Sequence, residues 1–328
     1  MQGGWSGALA PVGTCAEASL RAHFRTALWA SNSMKTYVIN MATSVDRRAF
    51  QRLQFDRLGL NFEIFEAVTP VDIADQDLIL LAESWERVMS KGEVACFLSH
   101  RELWRKVANA DAPALILEDD AMLSEHTPLV LSELADIENV DRVNLEVRIK
   151  RKIVDKRARE LGSNHRLLGL YLDRSGAAGY VIWPSGARKL LAYFDRRAAI
   201  ADKALRFADL TTYQVEPAVV VPADFCDAFG MHSPLQSPTT INPVKLRLRY
   251  STVANVLRCK GRRLKTQLSD IRQYLRILSS AKKRRLRVSN EHFLHCTDRM
   301  RGAANPALSP EHCLAQIRQD QVLCDHQS

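Results

Sequence analysis

Nothing in this chain of 328 residues approaches the ~18–20 consecutive apolar residues that span a bilayer. The protein is therefore expected to be soluble or to lie on a surface. Gly-x-Gly-x-x-Gly is missing, and so is Gly-x4-Gly-Lys-Ser/Thr, which disfavours a dinucleotide enzyme and a P-loop enzyme. The seven cysteines, at 15, 96, 226, 259, 296, 313 and 324, contain no Cys-x-x-Cys pair. An odd, dispersed set points to reduced thiols and a cytoplasmic setting rather than a disulfide frame. Residues 1–33 are rich in Gly, Ala and Ser and lack the basic start and long apolar core of a signal peptide. Met34, followed at once by a strand-like run, reads as the natural start, with 1–33 a dispensable or mis-called extension.

What is present is ordinary for a globular protein, 46% hydrophobic and 25% charged, and the length suits one large domain or two smaller ones. The most informative stretch is Pro113-Ala114-Leu115-Ile116-Leu117-Glu118-Asp119-Asp120. Its apolar run reads as a strand buried on both faces. Three acids then fall at the carboxyl end, where open α/β sheets place ligands. Adjacent carboxylates repel unless something positive sits between them, and a hard divalent cation held by oxygen ligands is the simplest partner. Side chains two apart on a strand share a face, so Glu118 and Asp120 can reach one ion together, with Asp119 joining only if the chain turns. The same residues also fit a solvated acidic turn after a core strand.

Along the chain, a strand at 37–40, a helix through Arg57 with Thr43 or Ser44 as its cap, Gly59 as its stop and a strand at 61–68 make a β-α-β opening. A helix is expected at 72–87. In the next one, Cys96, His100, Leu103 and Val107 share a side at helical spacing. His100 there is either a buried imidazole bonded to a backbone carbonyl or part of a site. A helix at 128–137, a strand at 143–147, a basic surface loop or helix at 148–159 and a strand at 167–172 follow. The small residues of 175–179 permit close approach by a sugar or a neighbouring strand. After Pro184 a helix runs to Phe194, and Asp202 lies beyond it. A strand at 213–221 is broken by Pro217 and so expected at an edge.

The net charge of +9 is uneven: 245–287 holds fifteen Lys or Arg against Asp270 alone, so that segment carries +14 and the remainder −5. Leucines thread through it at helical intervals, which reads as a basic amphipathic helix for an anionic membrane surface or for nucleic acid. Its near-lack of aromatics disfavours stacking on single-stranded nucleic acid, and the same pattern also fits a solvated helix packed on the domain. The 288–328 tail has His and Cys residues in no common zinc spacing and is expected to be poorly ordered.

Four stretches together resemble glycosyltransferase family 25, the lipooligosaccharide galactosyltransferase-like enzymes. They are Tyr37-Val38-Ile39-Asn40 with Asp46-Arg47-Arg48; residues 92–100; residues 114–120; and 177–182 with 186–191. The resemblance covers about Met34 to Val221. It implies a GT-A-type, Rossmann-like α/β domain with a mixed central sheet, which we place at 34–244, ahead of the basic helical C-terminal extension read from charge and spacing. It implies a UDP-sugar donor, usually UDP-galactose, a divalent ion such as Mn2+, and a saccharide or glycolipid acceptor. The acidic triplet corresponds to the family's Asp-x-Asp-like element, and Asp202 to its acid after the Gly-Ala-rich helix. Where relatives often carry Gln near the last strand, this chain reads Val220-Val221-Pro222-Ala223-Asp224.

On this reading Glu118 and Asp120 hold the metal, with Asp119 supporting. Asn40, Arg47, Arg48, Asp119 and His100 serve the donor, and Asp202 is the general base. The enzyme is expected in the cytoplasm, peripherally on the inner membrane. The competing readings are an inactive transferase relative, a nucleic-acid-binding protein and a metal-dependent phosphatase.

Overall fold

The computed structural model describes residues 34–162, 164–173, 176–233, 235 and 252–293. The expectations for 1–33 and for most of 288–328 lie outside the described residues. Within them the order is β1 (Lys35–Asn40), α1 (Val45–Leu58), β2 (Glu63–Glu66), α2 (Asp75–Ala82), α3 (Lys91–Ala108), β3 (Ala114–Glu118), β4 (Ala121–Leu123), α4 (Thr127–Ala135), β5 (Arg142–Asn144), β6 (Lys152–Leu161), β7 (His165–Tyr171), β8 (Gly179–Ile182), α5 (Pro184–Tyr193), α6 (Ala201–Ala204), β9 (Thr212–Glu216), β10 (Val220–Pro222), α7 (Val253–Ile277) and β11 (Ala281–Arg284).

Nine strands form one mixed sheet in the order β11-β6-β7-β9-β5-β8-β3-β1-β2. β3 pairs in parallel with β1 and antiparallel with β8. Its apolar run is buried on both faces. Ala114 and Ile116 join Trp104, Leu103 and Leu190 in one core, under α3 and α5. Leu115 and Leu117 join Phe55, Val130 and Leu134 in the other, under α1 and α4. The period of two along the strand thus divides a four-residue run between two helical layers.

Two expectations are corrected here. The basic stretch at 148–159 is neither helix nor loop for most of its length: residues from Lys152 form β6, whose Val154 is buried against Leu168 and Leu170. The Pro217 segment is not at an edge, because β9 lies between β5 and β7 and ends before Pro217. The β1–α1–β2 opening and the strand at β7 lie where periodicity put them.

The region 245–287 is not helical throughout. After α7, β11 pairs with β6 and extends the sheet, and Val288 bridges to Ala218 while Phe293 is buried. Glu216 anchors this return. Its buried carboxylate accepts bonds from Arg284 at 2.6 Å, from Arg166 at 2.6 Å and from the Arg287 amide at 3.0 Å. Burial alone would raise its pKa, but the two guanidinium groups outweigh it and bring it down to about 2. A depressed carboxylate pKa contributes stability that is complete above the unfolded value and is lost as pH falls through the folded one, a contribution on the order of 3 kcal/mol. Urea unfolding of the wild type should therefore weaken between about pH 4.5 and 2. Glu216→Gln should lack that share of the acid dependence and unfold more easily at pH 7.

Candidate active site

The two faces of β3 also divide the acids that end it. Glu118 continues the face of Ile116 and turns toward α3; Asp119 continues the face of Leu117 and turns toward α1. The chain bends at Asp119-Asp120 and re-enters a short two-stranded sheet, β4 with β10, where the Ala223 amide donates to the Asp120 carbonyl at 2.9 Å. That bend brings Asp224 into the electrostatic surroundings of Asp120.

On the α3 side, a capping box starts the helix: Ser90 Oγ accepts from the Glu93 amide, and the Glu93 carboxylate accepts from the Ser90 amide. Two turns on, His100 is 1% exposed. Its partners are side chains rather than a backbone carbonyl. Trp104 Nε1 donates to the Tyr180 hydroxyl at 2.9 Å, Tyr180 lies 3.0 Å from His100 Nδ1, and His100 Nε2 lies 3.3 Å from Glu118 Oε1. The indole can only donate, so the Tyr180 hydroxyl accepts from it. His100 thus bridges the Tyr180 hydroxyl and the Glu118 carboxyl through its two ring nitrogens. Burial lowers the His100 pKa to about 4, so the ring is neutral at pH 7. Cys96 Sγ shares this corner with His100 and Glu118. Burial pushes its thiol up, so it stays protonated.

On the α1 side, Asp119 is held between Asn40 Nδ2 and Arg47, each at 2.8 Å. Asn40 also donates to the Ser44 carbonyl and accepts from Arg48 Nε at 2.9 Å. The structure thus brings Asn40, Arg47, Arg48 and Asp119 into one network. Burial alone would lower the Arg47 pKa, but the bond and charge of Asp119 raise it.

A second set of acids meets the first from β5 and α6. Glu146 is fully buried; it accepts from the Ala178 amide at 2.6 Å and pairs with Arg148. Arg148 also grips Asp202 with two bonds of 3.0 Å, and Asp202 takes the Ala177 amide at 3.3 Å. The small residues before β8 therefore supply amides to two carboxylates. Gly179 admits a neighbouring strand: a Cβ there would lie 2.8 Å from Val220. Pattern reading did not single out Glu146 and Arg148. The alternation of 143–147 marked a strand, but nothing in it marked Glu146 as turned inward.

Burial, with the negative charge of Asp202, pushes Glu118 up to about 7. Burial, with Glu118 and Asp119, carries Asp120 well above its usual range. Glu146 rises to about 7 from burial and the charge of Asp202, despite Arg148 beside it. Asp120 Oδ1 is buried and has no hydrogen-bond partner among the described residues. An orphaned carboxylate oxygen beside a second acid, both short of positive charge, fits the donor set of a hard divalent cation.

Against known proteins, a family model described as glycosyltransferase family 25 (LPS biosynthesis protein) matches residues 33–205. The chain belongs to glycosyltransferase family 25. Lipooligosaccharide biosynthesis protein lic2B of Haemophilus influenzae is 29% identical over 203 residues, 56% of this chain and 74% of that protein. The lacto-N-neotetraose biosynthesis glycosyltransferase LgtB of Neisseria meningitidis serogroup B is 29% identical over 208 residues, 60% and 71% of the two chains. A glycosyltransferase 25 family member of Anopheles gambiae is 27% identical over 170 residues, 47% of this chain and 28% of that one. The family-25 match takes in both acid sets through Asp202 and stops before β9, Asp224 and α7.

Arg148 is the cation between two acids of this family-25 site, and truncating it should unmask their repulsion. Arg148→Gln should cost about 3–5 kcal/mol of stability at pH 8, as removal of one member of a buried ion pair does. A carboxylate with a raised folded pKa destabilises as pH rises through that value. The deficit measured by urea unfolding should therefore shrink at pH 5, where Glu146 takes up a proton.

Proposed function

We propose that this glycosyltransferase moves a hexose, galactose, from a UDP-sugar to a lipooligosaccharide-type acceptor. The observation that carries the reading is the cluster of Glu118, Glu146 and Asp202 about Arg148, with Asp120 adjoining Glu118, at the carboxyl ends of β3 and β5. The names of the lic2B and LgtB relatives support the acceptor class.

A donor's diphosphate is anionic, and a site this rich in carboxylate repels it unless a cation intervenes. Glu118 and Asp120 would hold that ion, Mn2+, which when bound supplies Lewis-acid stabilisation of the departing diphosphate. The chain's own residues set the geometry around it. His100 bonds Glu118 and fixes its rotamer. Asn40 and Arg47 hold Asp119 to α1, fixing the bend that carries Asp120, and Arg48 completes that network at the donor end. Asp202 takes the acceptor hydroxyl's proton as general base. Its side chain is 29% exposed, whereas that of Glu146 is 0% exposed, so of the two only Asp202 can meet a substrate hydroxyl. Glu146 positions Arg148, and Arg148 orients Asp202.

Support for a membrane-borne acceptor comes from α7. Its half-buried face is polar: Asn255 bonds Glu83, Arg262 donates to the Glu83 carbonyl at 2.6 Å, and Asp270 pairs with Arg206. Its outward face is apolar, with Leu257, Leu264, Leu268, Ile271, Leu275 and Leu278 all exposed. Among the described residues no helix is long and apolar enough to cross a membrane. An apolar stripe flanked by Arg258, Lys260 and Arg263 suits an anionic lipid surface, at about 1 kcal/mol per basic residue near it.

Asp202→Asn should lower kcat for transfer by roughly 10²–10⁴-fold, the usual worth of a general base, with UDP affinity unchanged; an unaltered rate removes Asp202 from the role. Asp120→Ala should abolish Mn2+-dependent UDP binding in calorimetry, and its retention would undo the metal assignment. Leu264→Ser/Leu268→Ser/Leu275→Ser should release the protein from phosphatidylglycerol vesicles in a flotation assay while leaving turnover of a soluble acceptor intact.

A further inference from the structure

A cleft of about 830 Å³ opens away from the acid cluster, between α7, the segment after α5 and the ends of β5 and β7. This is within the ~300–1,000 Å³ range of sites for small molecules. Its floor contains Arg142, a fully buried guanidinium. One terminal nitrogen of Arg142 donates to Asp173 at 2.7 Å, but Nε and the other terminal nitrogen have no hydrogen-bond partner among the described residues. A buried cation with donors left unmet among the described residues costs free energy, and Arg142 borders the cleft, where an anion would offset that cost.

The walls have matching character. Lys265, Arg272 and Arg276 of α7 line the cleft at helical spacing, along one edge of the helix. Asp173 and Asp270 are occupied with Arg142 and Arg206, and Glu86 and Asp209 add two further acids. Opposite, the Tyr193 and Phe207 rings stack at 5.4 Å, with Trp85 edge-on to Phe207 at 5.4 Å. Guanidinium forks match the oxygens of a phosphate or carboxylate, and aromatic faces offer apolar surface to a sugar ring. The cleft also communicates with the acids. Asp173 accepts from Asn144 at 3.0 Å as well as from Arg142, and Lys152, 3.6 Å from Asp173, donates to the Glu146 carbonyl at 3.3 Å.

We propose that this cleft binds an anionic saccharide, seating its phosphate or carboxylate on Arg142 and the basic edge of α7 and its ring against the aromatic wall. The proposal rests on the transfer reading in one respect: it makes the bound group the charged part of the acceptor, so that the acceptor is recognised at a distance from the bond being formed.

Calorimetric titration with glucose 6-phosphate, glucuronate and glucose tests it on the full-length protein. One or both anionic sugars should bind at least about tenfold more tightly than glucose, the worth of roughly one charge-assisted hydrogen bond. A phosphate site answers to the first sugar and a carboxylate site to the second. Lys265→Gln/Arg272→Gln/Arg276→Gln, on the exposed edge of α7, should erase that preference. Arg142→Lys, which keeps the charge but loses the fork, should weaken it. Equal binding of glucose and both anions, or an unchanged preference in both variants, would overturn the proposal. UDP with Mn2+, titrated into the same samples, separates the two readings. If UDP binds but no anionic sugar does, the cleft fails and the transferase reading stands. If an anionic sugar binds and UDP does not, the cleft binds anionic saccharides and the donor reading, with the acceptor role drawn from it, fails.

Discussion

The constraint on which this structure turns is a crowding of negative charge on buried and half-buried carboxylates. Glu118, Asp119, Asp120, Glu146 and Asp202 converge at the carboxyl ends of β3 and β5, and two guanidinium groups, of Arg47 and Arg148, pair with three of them. Carboxylates in such surroundings either protonate or recruit a cation. The upward displacement of Glu118, Asp120 and Glu146 is the consequence. Much of the neighbouring architecture holds these groups against their repulsion: the capping box that starts α3, the Trp104–Tyr180–His100 relay, the amides of Ala177 and Ala178, and the Asn40–Arg47 clamp.

The sheet assigns each acid its task by parity. Residues alternate across β3, so Glu118 faces the α3 layer and Asp119 the α1 layer, and only the bend after them carries Asp120 elsewhere. Three adjacent acids thereby acquire three environments: one on a neutral imidazole, one in an ion pair and one with an oxygen that has no partner among the described residues. The same alternation on β5 and beyond aligns Arg142, Asn144 and Glu146, joining the basic cleft under α7 to the acid cluster.

Helix α7 inverts the usual arrangement of an amphipathic helix. Burying an apolar stripe is the ordinary source of helix stability in a globular protein, yet here the polar side meets the body and the leucines face outward. Its helical periodicity and charge are visible in the spacing of Leu257, Leu264, Leu268 and Leu275 among the basic residues. Which face docks is not visible there, because that depends on Glu83 and Arg206, far away in the chain.

Much of the site was legible in local pattern. Asp202 was singled out through the resemblance to family 25, whereas the strand that ends in acids and the helix carrying His100 follow from apolar periodicity and breakers. So did the core assignment of β3, because only a strand covered on both sides has an unbroken apolar run. Less legible were β6, whose surplus of charge reads as loop, and β9, which the proline after it made look like an edge. Both are sheet strands because partners distant in sequence cover them: β7 and β11 for one, β5 and β7 for the other. The amino-acid sequence by itself determined that a helix carrying His100 leads into a core strand and which acids close that strand, since these rest on spacing along a few residues. Tertiary structure alone decided that Arg148 stands between Glu146 and Asp202, that His100 answers to Glu118, and that Arg142 has two donors without a partner among the described residues. Charges separated by tens of residues acquire their partners, and their pKa values, only when folding removes the water between them.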